Sequence, residues 1–214
     1  MPNAPTPRIK PLSPAEWDAD VLDALDAFPS GKAFVLAAWN SGQGLAGGSN
    51  GLGAMVHHPV LTRAFLTFNN HIAITSTIAK RTRELIILRI GWLRCAEYEF
   101  VQHVSLGRKA GLGDAEIARI QAGPDAPGWE PADADVLRAV DELHAHARIQ
   151  DETWTRLAAR LDRKQILDLI YTVGCYDLLA MVFNSCGVTL EESMKPLELD
   201  AATRTRMYSQ DEPA

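Results

Sequence analysis

Apolar residues recur every three or four positions through most of the chain, the spacing of one helix face. Ser13-Pro14-Ala15-Glu16 carries a Ser cap, an early Pro and a Glu three residues after the cap, which mark a helix start, and Val21, Leu22, Leu25 and Phe28 continue it. Pro29-Ser30-Gly31 stops that helix, and a short apolar stretch runs from Ala33 to Trp39. His57-His58-Pro59 opens another helical stretch, with Val60, Leu61, Ala64, Phe65, Phe68 and Ile72 on a broad apolar face. Lys80 to Leu93 is apolar on nearly all sides in its second half, which predicts a helix buried in a core or an interface. Gly91 and Cys95 permit a turn, and a helix is predicted from about Ala96 to Ala110, closed by Gly111. Asp114 caps a short helix from Ala115 to Gln121. Helices follow at about 132–147, 152–161 and 163–186, with Asp162 and Gln165 as a capping pair for the last. No alternation of apolar and polar residues suggests a sheet. The expected fold class is all-α, with about eight helices.

The breaks between these elements set the organisation. Five of the twelve prolines fall in residues 2–14, which predicts an extended or poorly ordered start. Residues 42–53 hold six glycines and read as a flexible loop or a loop packed on a ligand. They lack the GxxxxGK[ST] spacing and do not follow a strand, so no nucleotide site is assigned. Gly123 to Pro131 is the best internal boundary, and the tail from about Lys195 is polar and expected on the surface. The expected organisation is a Pro-rich start (1–13), a helical extension with the Gly-rich loop (14–54), a helical core (55–194) and a polar tail (195–214).

Composition narrows the function classes. The 214 residues carry 21 basic and 27 acidic side chains, a net charge of −6, which argues against a nucleic-acid groove or an anionic membrane surface. Three cysteines do not make a disulfide framework, and the odd count fits a reducing compartment. No apolar run is read as reaching the roughly 18 residues of a membrane span, and the first residues do not form a secretory signal. The expectation is a cytoplasmic protein with no nucleic-acid or membrane partner.

Few residues are placed for chemistry. Glu99 and His103 are four apart on one predicted helix, on one face about one turn apart. A carboxylate beside an imidazole orients the ring and suits acid–base work, but the same spacing also describes a simple surface pair. Glu84 stands at the entry to the buried helix, where it also favours the helix dipole. In one straight helix Glu84 and His103 would be about 28 Å apart, so they share a site only if the chain reverses near Gly91–Cys95. Cys95 reads as a lone thiol, since Tyr98 stands where a CxxC pair needs its second sulfur. Cys175 and Cys186 would lie about 16 Å apart on one helix, too far to bridge. His57 and His58 read as capping or surface residues, and no metal-binding spacing is present.

Arg83-Glu84-Leu85 with its apolar continuation, Tyr98-Glu99-Phe100-Val101-Gln102-His103, Ala110-Gly111-Leu112 and Glu116-Ile117 together resemble the carboxymuconolactone decarboxylase family, within the superfamily of the alkylhydroperoxidase AhpD. Tyr171-Thr172-Val173-Gly174-Cys175-Tyr176 fits the same resemblance, which spans about 55–190. It implies an AhpD-like helical bundle on an antiparallel helical hairpin, and a homo-oligomer, trimer or hexamer. The apolar run Leu85–Leu93 would then face another subunit. Peroxidase-type members use a CxxC pair, a His four residues on, and a Glu nineteen before that His. Anchored on His103, that Glu falls on Glu84, while the thiol positions fall on Ala96 and Glu99. Decarboxylase-type members carry a Glu four before the His in an aromatic-flanked pattern, which Glu99-Phe100-Val101-Gln102-His103 matches.

The resemblance therefore implies a cofactor-independent decarboxylase or related lyase of aromatic-compound catabolism, acting on a small anionic carbonyl-conjugated or lactone substrate. His103 would be the general acid–base, Glu99 its orienting partner and Glu84 a second relay group. Tyr98, Cys95, His57 and His58 are weaker candidates for substrate contact. The alternatives are a peroxide-handling protein using Cys95 with an external thiol, a non-catalytic oligomeric binding protein and, more remotely, a metal-dependent oxygenase. No cofactor and no metal are expected.

Overall fold

The computed structural model describes residues 7–209. Among them every regular element is helical: α1 (Ala19–Leu25), α2 (Pro29–Asn40), α3 (Ser49–Met55), α4 (Pro59–Asn70), α5 (Lys80–Leu93), α6 (Glu97–Lys109), α7 (Asp114–Arg119), α8 (Pro131–His146), α9 (Asp151–Ala158), α10 (Arg163–Cys186) and α11 (Ala201–Tyr208), with short 3-10 and π turns between them. The all-α class holds, and the helix count exceeds eight because several short helices carry too few residues to show a period. The chain forms two compact units, Met1–Thr75 with Val182–Glu198, and Ser76–Met181 with Leu199–Ala214. The Gly123–Pro131 loop lies inside the second unit. There Trp129 Nε1 donates to the Gly123 carbonyl (3.0 Å) and Arg119 stacks on the indole, so the loop is a fastened turn and not a boundary.

The first unit packs Trp17, Val21, Leu25, Val35, Leu52, Val56 and Leu66 into one core. The capping box at Ser13–Glu16 closes a single 3-10 turn; α1 starts separately, with Asp18 accepting from the Val21 N–H (2.9 Å). The prolines at 2 and 5 lie outside the described residues. Pro7 to Ser13 is irregular but tied down: the Arg8 N–H donates to the Cys186 carbonyl (2.8 Å) and the Leu12 N–H to the Gly53 carbonyl (3.0 Å). A methyl group at Gly53 would stand 2.4 Å from the Leu12 carbonyl oxygen, so glycine is required for that approach. The second half of the Gly-rich stretch is thus helix α3 packed on the N-terminal segment. On α4 the expected apolar face is buried only in part: Phe65 packs against the core, and Ile72, just beyond the helix, is fully buried. Val60 and Leu61 are exposed, and Thr62, Leu66 and Asn69 point inward.

The second unit is organised around α5. Leu85 to Leu88 and Ile90 have no exposed surface, and the neighbours are α6, α8 and the 3-10 turn at Ile120–Ala122 of the same chain. The expectation that this run faces another subunit is therefore corrected: the chain covers it itself. Arg89, buried at the centre, pairs with Asp141 (2.6 and 2.8 Å) and donates to the Ile120 carbonyl (2.7 Å), so its charge is fully met. Asp162 and Gln165 cap α10 reciprocally, as expected. Among the described residues α10 alone is long and apolar enough to cross a membrane by length and composition, contrary to the sequence reading, and over half of that stretch is buried within the protein. The C-terminal segment is not merely surface: Asp200 caps α11 and Met207 is fully buried.

Candidate functional site

Helices α5 and α6 run antiparallel because the chain reverses over Arg94–Ala96, where Cys95 adopts a left-handed φ of 50°. The reversal brings together residues that a straight helix would separate. Gly107 lets the two helices close: a methyl group there would stand 3.1 Å from Leu112 Cδ1, 3.2 Å from Leu88 Cδ1 and 3.8 Å from Glu84 Cβ. His103, one turn before Gly107, therefore meets Glu84 across the hairpin.

The contact is a buried pair. His103 Nδ1 donates to Glu84 Oε2 at 2.7 Å, while Arg83 holds Oε1 through Nε (3.2 Å) and Nη2 (3.0 Å). Burial pushes the Glu84 carboxyl up, but His103 and Arg83 outweigh it and hold the group below its ordinary range. With Nδ1 committed to a carboxylate, the imidazole presents Nε2 as its working nitrogen. Among the described residues nothing hydrogen-bonds Nε2. The ring of Tyr176 from α10 stands edge-on to the imidazole, with centroids 4.9 Å apart and planes at 87°.

Glu99 is placed differently from the expectation. It lies one turn before His103 on α6, yet it is not the partner of that imidazole; Glu84 is. Helical spacing puts Glu99 on the same face but does not choose its rotamer, and its carboxyl packs against Gly91 of α5. Glu99 is 2% exposed, and neither oxygen has a hydrogen-bond partner. Burial first, and then the nearby Asp177 carboxylate, push it well above the usual carboxylate range.

The weaker candidates take local roles. Cys95 is 4% exposed and its thiol donates to the Met207 carbonyl at 3.0 Å, under α11. That is not the accessible thiol the peroxide-handling alternative requires. Tyr98 is buried five positions from His103, about 140° round the helix. In the first unit His57 Nε2 meets the Lys10 carbonyl at 2.9 Å, and His58 Nδ1 accepts from the Leu61 N–H at the start of α4. Tyr176 was missed as a site residue, although it closes the Tyr171–Tyr176 stretch that fits the family resemblance. Among the described residues no group of three or more His, Cys, Asp or Glu is placed to hold a metal ion.

Residues 59–142, which contain Glu84, Glu99 and His103, match the model of the Carboxymuconolactone decarboxylase family. That stretch is less than half of the chain. Two solved structures share the AhpD-like fold. One is an uncharacterized peroxidase-related protein from Silicibacter sp. TM1040, with a TM-score of 0.66 and 15% identity over 91% of this chain and 97% of that one. The other is a protein of unknown function from Agrobacterium tumefaciens, described as a candidate AhpD antioxidant-defence protein, with a TM-score of 0.55 and 19% identity over 61% of this chain and 90% of that one. At these identities the likeness is one of fold. Among curated proteins none matches the chain. The family segment ends before α10, so Tyr176 lies outside it.

Proposed function

We propose that the protein is a cofactor-independent lyase that removes CO2 from, and moves a proton on, a small anionic substrate with a carbonyl conjugated to the leaving carboxylate. The observation that carries this reading is the division of labour between two buried carboxyls: Glu84 fixes His103 by Nδ1 and leaves Nε2 free, while Glu99 is unpartnered and pushed well above its ordinary range. Environments that push two titratable groups apart define an acid and a base. In the reaction the C–CO2 bond breaks and CO2 leaves. Its electron pair moves through the conjugated system onto the carbonyl oxygen. A proton delivered from His103 Nε2 then ends on carbon, and solvent returns a proton to the imidazole. Glu84 keeps the ring oriented in both protonation states. Glu99 is the neutral acid behind the site.

The test is CO2 release from 4-carboxymuconolactone by the purified protein and by His103→Ala, with no thiol or metal added. Release by the wild type that disappears in the variant is the expected result; no release by the wild type removes this substrate. A homo-oligomer belongs to the same reading, with the exposed apolar stripe of α10 (Leu167, Tyr171, Leu178 and Met181) as its contact. Sedimentation of the wild type as a monomer would remove that element.

A further inference from the structure

Tyr176 retains only 6% of its surface exposed, and its hydroxyl makes no hydrogen bond with a described residue. Its ring stands edge-on against the imidazole of His103, with centroids 4.9 Å apart, which sets the phenol beside the site. Burial, followed by the charges of Cys175, Glu84 and Glu99, pushes the phenol well above its ordinary range. The group is therefore a donor at any physiological pH. Around the imidazole, the acceptor capacity of Glu84 is already used by His103 and Arg83. What the site lacks is a partner for a phenolic O–H, and the chemistry that supplies one is an oxygen on which negative charge develops.

We propose that Tyr176 is a catalytic residue that donates a hydrogen bond to the substrate's carbonyl oxygen as it becomes an enolate, with His103 serving the adjacent carbon. The ligand class is a planar conjugated carbonyl compound, and the role rests on the lyase reading above. It replaces the role expected for Tyr98, which faces another side of α6. A neutral donor placed in a water-poor site is worth more to a developing oxyanion than to the ground-state carbonyl, and so acts on turnover more than on binding of the uncharged form.

The test uses 4-nitrophenolate, a planar oxyanion whose absorbance changes on binding, titrated into wild type, Tyr176→Phe and Tyr98→Phe. Tyr176→Phe keeps the ring against His103 and removes only the hydroxyl. It is expected to weaken binding by about tenfold or more, the size of a hydrogen bond to a charged group, while Tyr98→Phe binds like the wild type. Equal affinity in wild type and Tyr176→Phe, or no saturable binding by the wild type, overturns the proposal. If the phenylalanine variant loses the probe but the wild type releases no CO2 from the lactone, the donor stands and the substrate reading falls. If CO2 release depends on His103 while Tyr176→Phe keeps both turnover and probe affinity, the reading stands and the donor falls.

Discussion

The surroundings of Glu84 and of Glu99 form two regions of one helical hairpin, and they treat the same functional group in opposite ways. Around Glu84 the chain supplies an imidazole and a guanidinium, and the carboxyl is ionised and fully bonded. Around Glu99 it supplies Gly91 and the like charge of Asp177, and the carboxyl is unbonded and pushed well above its ordinary range. Stability alone accounts for the first arrangement and not for the second, because a buried polar group without a partner costs free energy.

The largest expected effect comes from breaking the satisfied region. Glu84→Ala leaves His103 and Arg83 without their shared acceptor and should lower stability by about 3–5 kcal/mol, as removal of one member of a buried pair does. Urea midpoints of the variant and wild type measure it, and a loss below about 1 kcal/mol would erase the contrast between the regions. Next in size is the opposite change on the other side. Glu99→Leu removes the unmet carboxyl and should raise stability by about 1–3 kcal/mol at neutral pH. A lower melting temperature for this variant would show that Glu99 has partners after all. The smallest effect is in the pH profile. Because the folded state holds Glu84 below its unfolded value of 4.5, its contribution is present above that pH and is lost as pH falls through the folded value. Glu99 has the reverse sign. Its folded value lies above 4.5, so the folded state binds more protons than the unfolded one, and stability declines as pH rises from 4.5 toward that value. Melting temperatures across this range should therefore fall less steeply in Glu99→Gln than in wild type, and parallel curves would refute the assignment of a neutral Glu99.

Much of this hairpin was legible in the chain. The apolar run of α5, the reversal at Cys95 and the meeting of Glu84 with His103 all follow from spacing together with the family resemblance. The choice of partner was not legible. An interval of four residues puts Glu99 and His103 on one helix face, but which carboxyl reaches the imidazole is decided by rotamers and by the helix across the hairpin. Burial on α4 was misjudged for a related reason. Its apolar residues exceed what its packing surface needs, so Val60 and Leu61 stay outside while Thr62 turns inward and bonds to the Met55 carbonyl at 2.6 Å. Helices α5 and α10 are both apolar nearly all round. The chain covers α5 from Glu84 to Trp92 and leaves a stripe of α10 open, a difference that only the positions of the other helices can make. Tyr176 escaped notice because its partner ring lies 73 positions away in sequence and on another helix.

The tie between Arg8 and Cys186 gives the molecule a direction in time. Arg8 must wait for about 180 more residues before that partner exists, an interval on the order of ten to thirty seconds. Meanwhile the whole stretch Ser76–Met181, with α5, α6 and the paired Glu84 and His103, has already been synthesised. The first unit is thus begun early and closed late: its nascent form, with α1 to α4 made and Val182–Glu198 still missing, waits for its last segment.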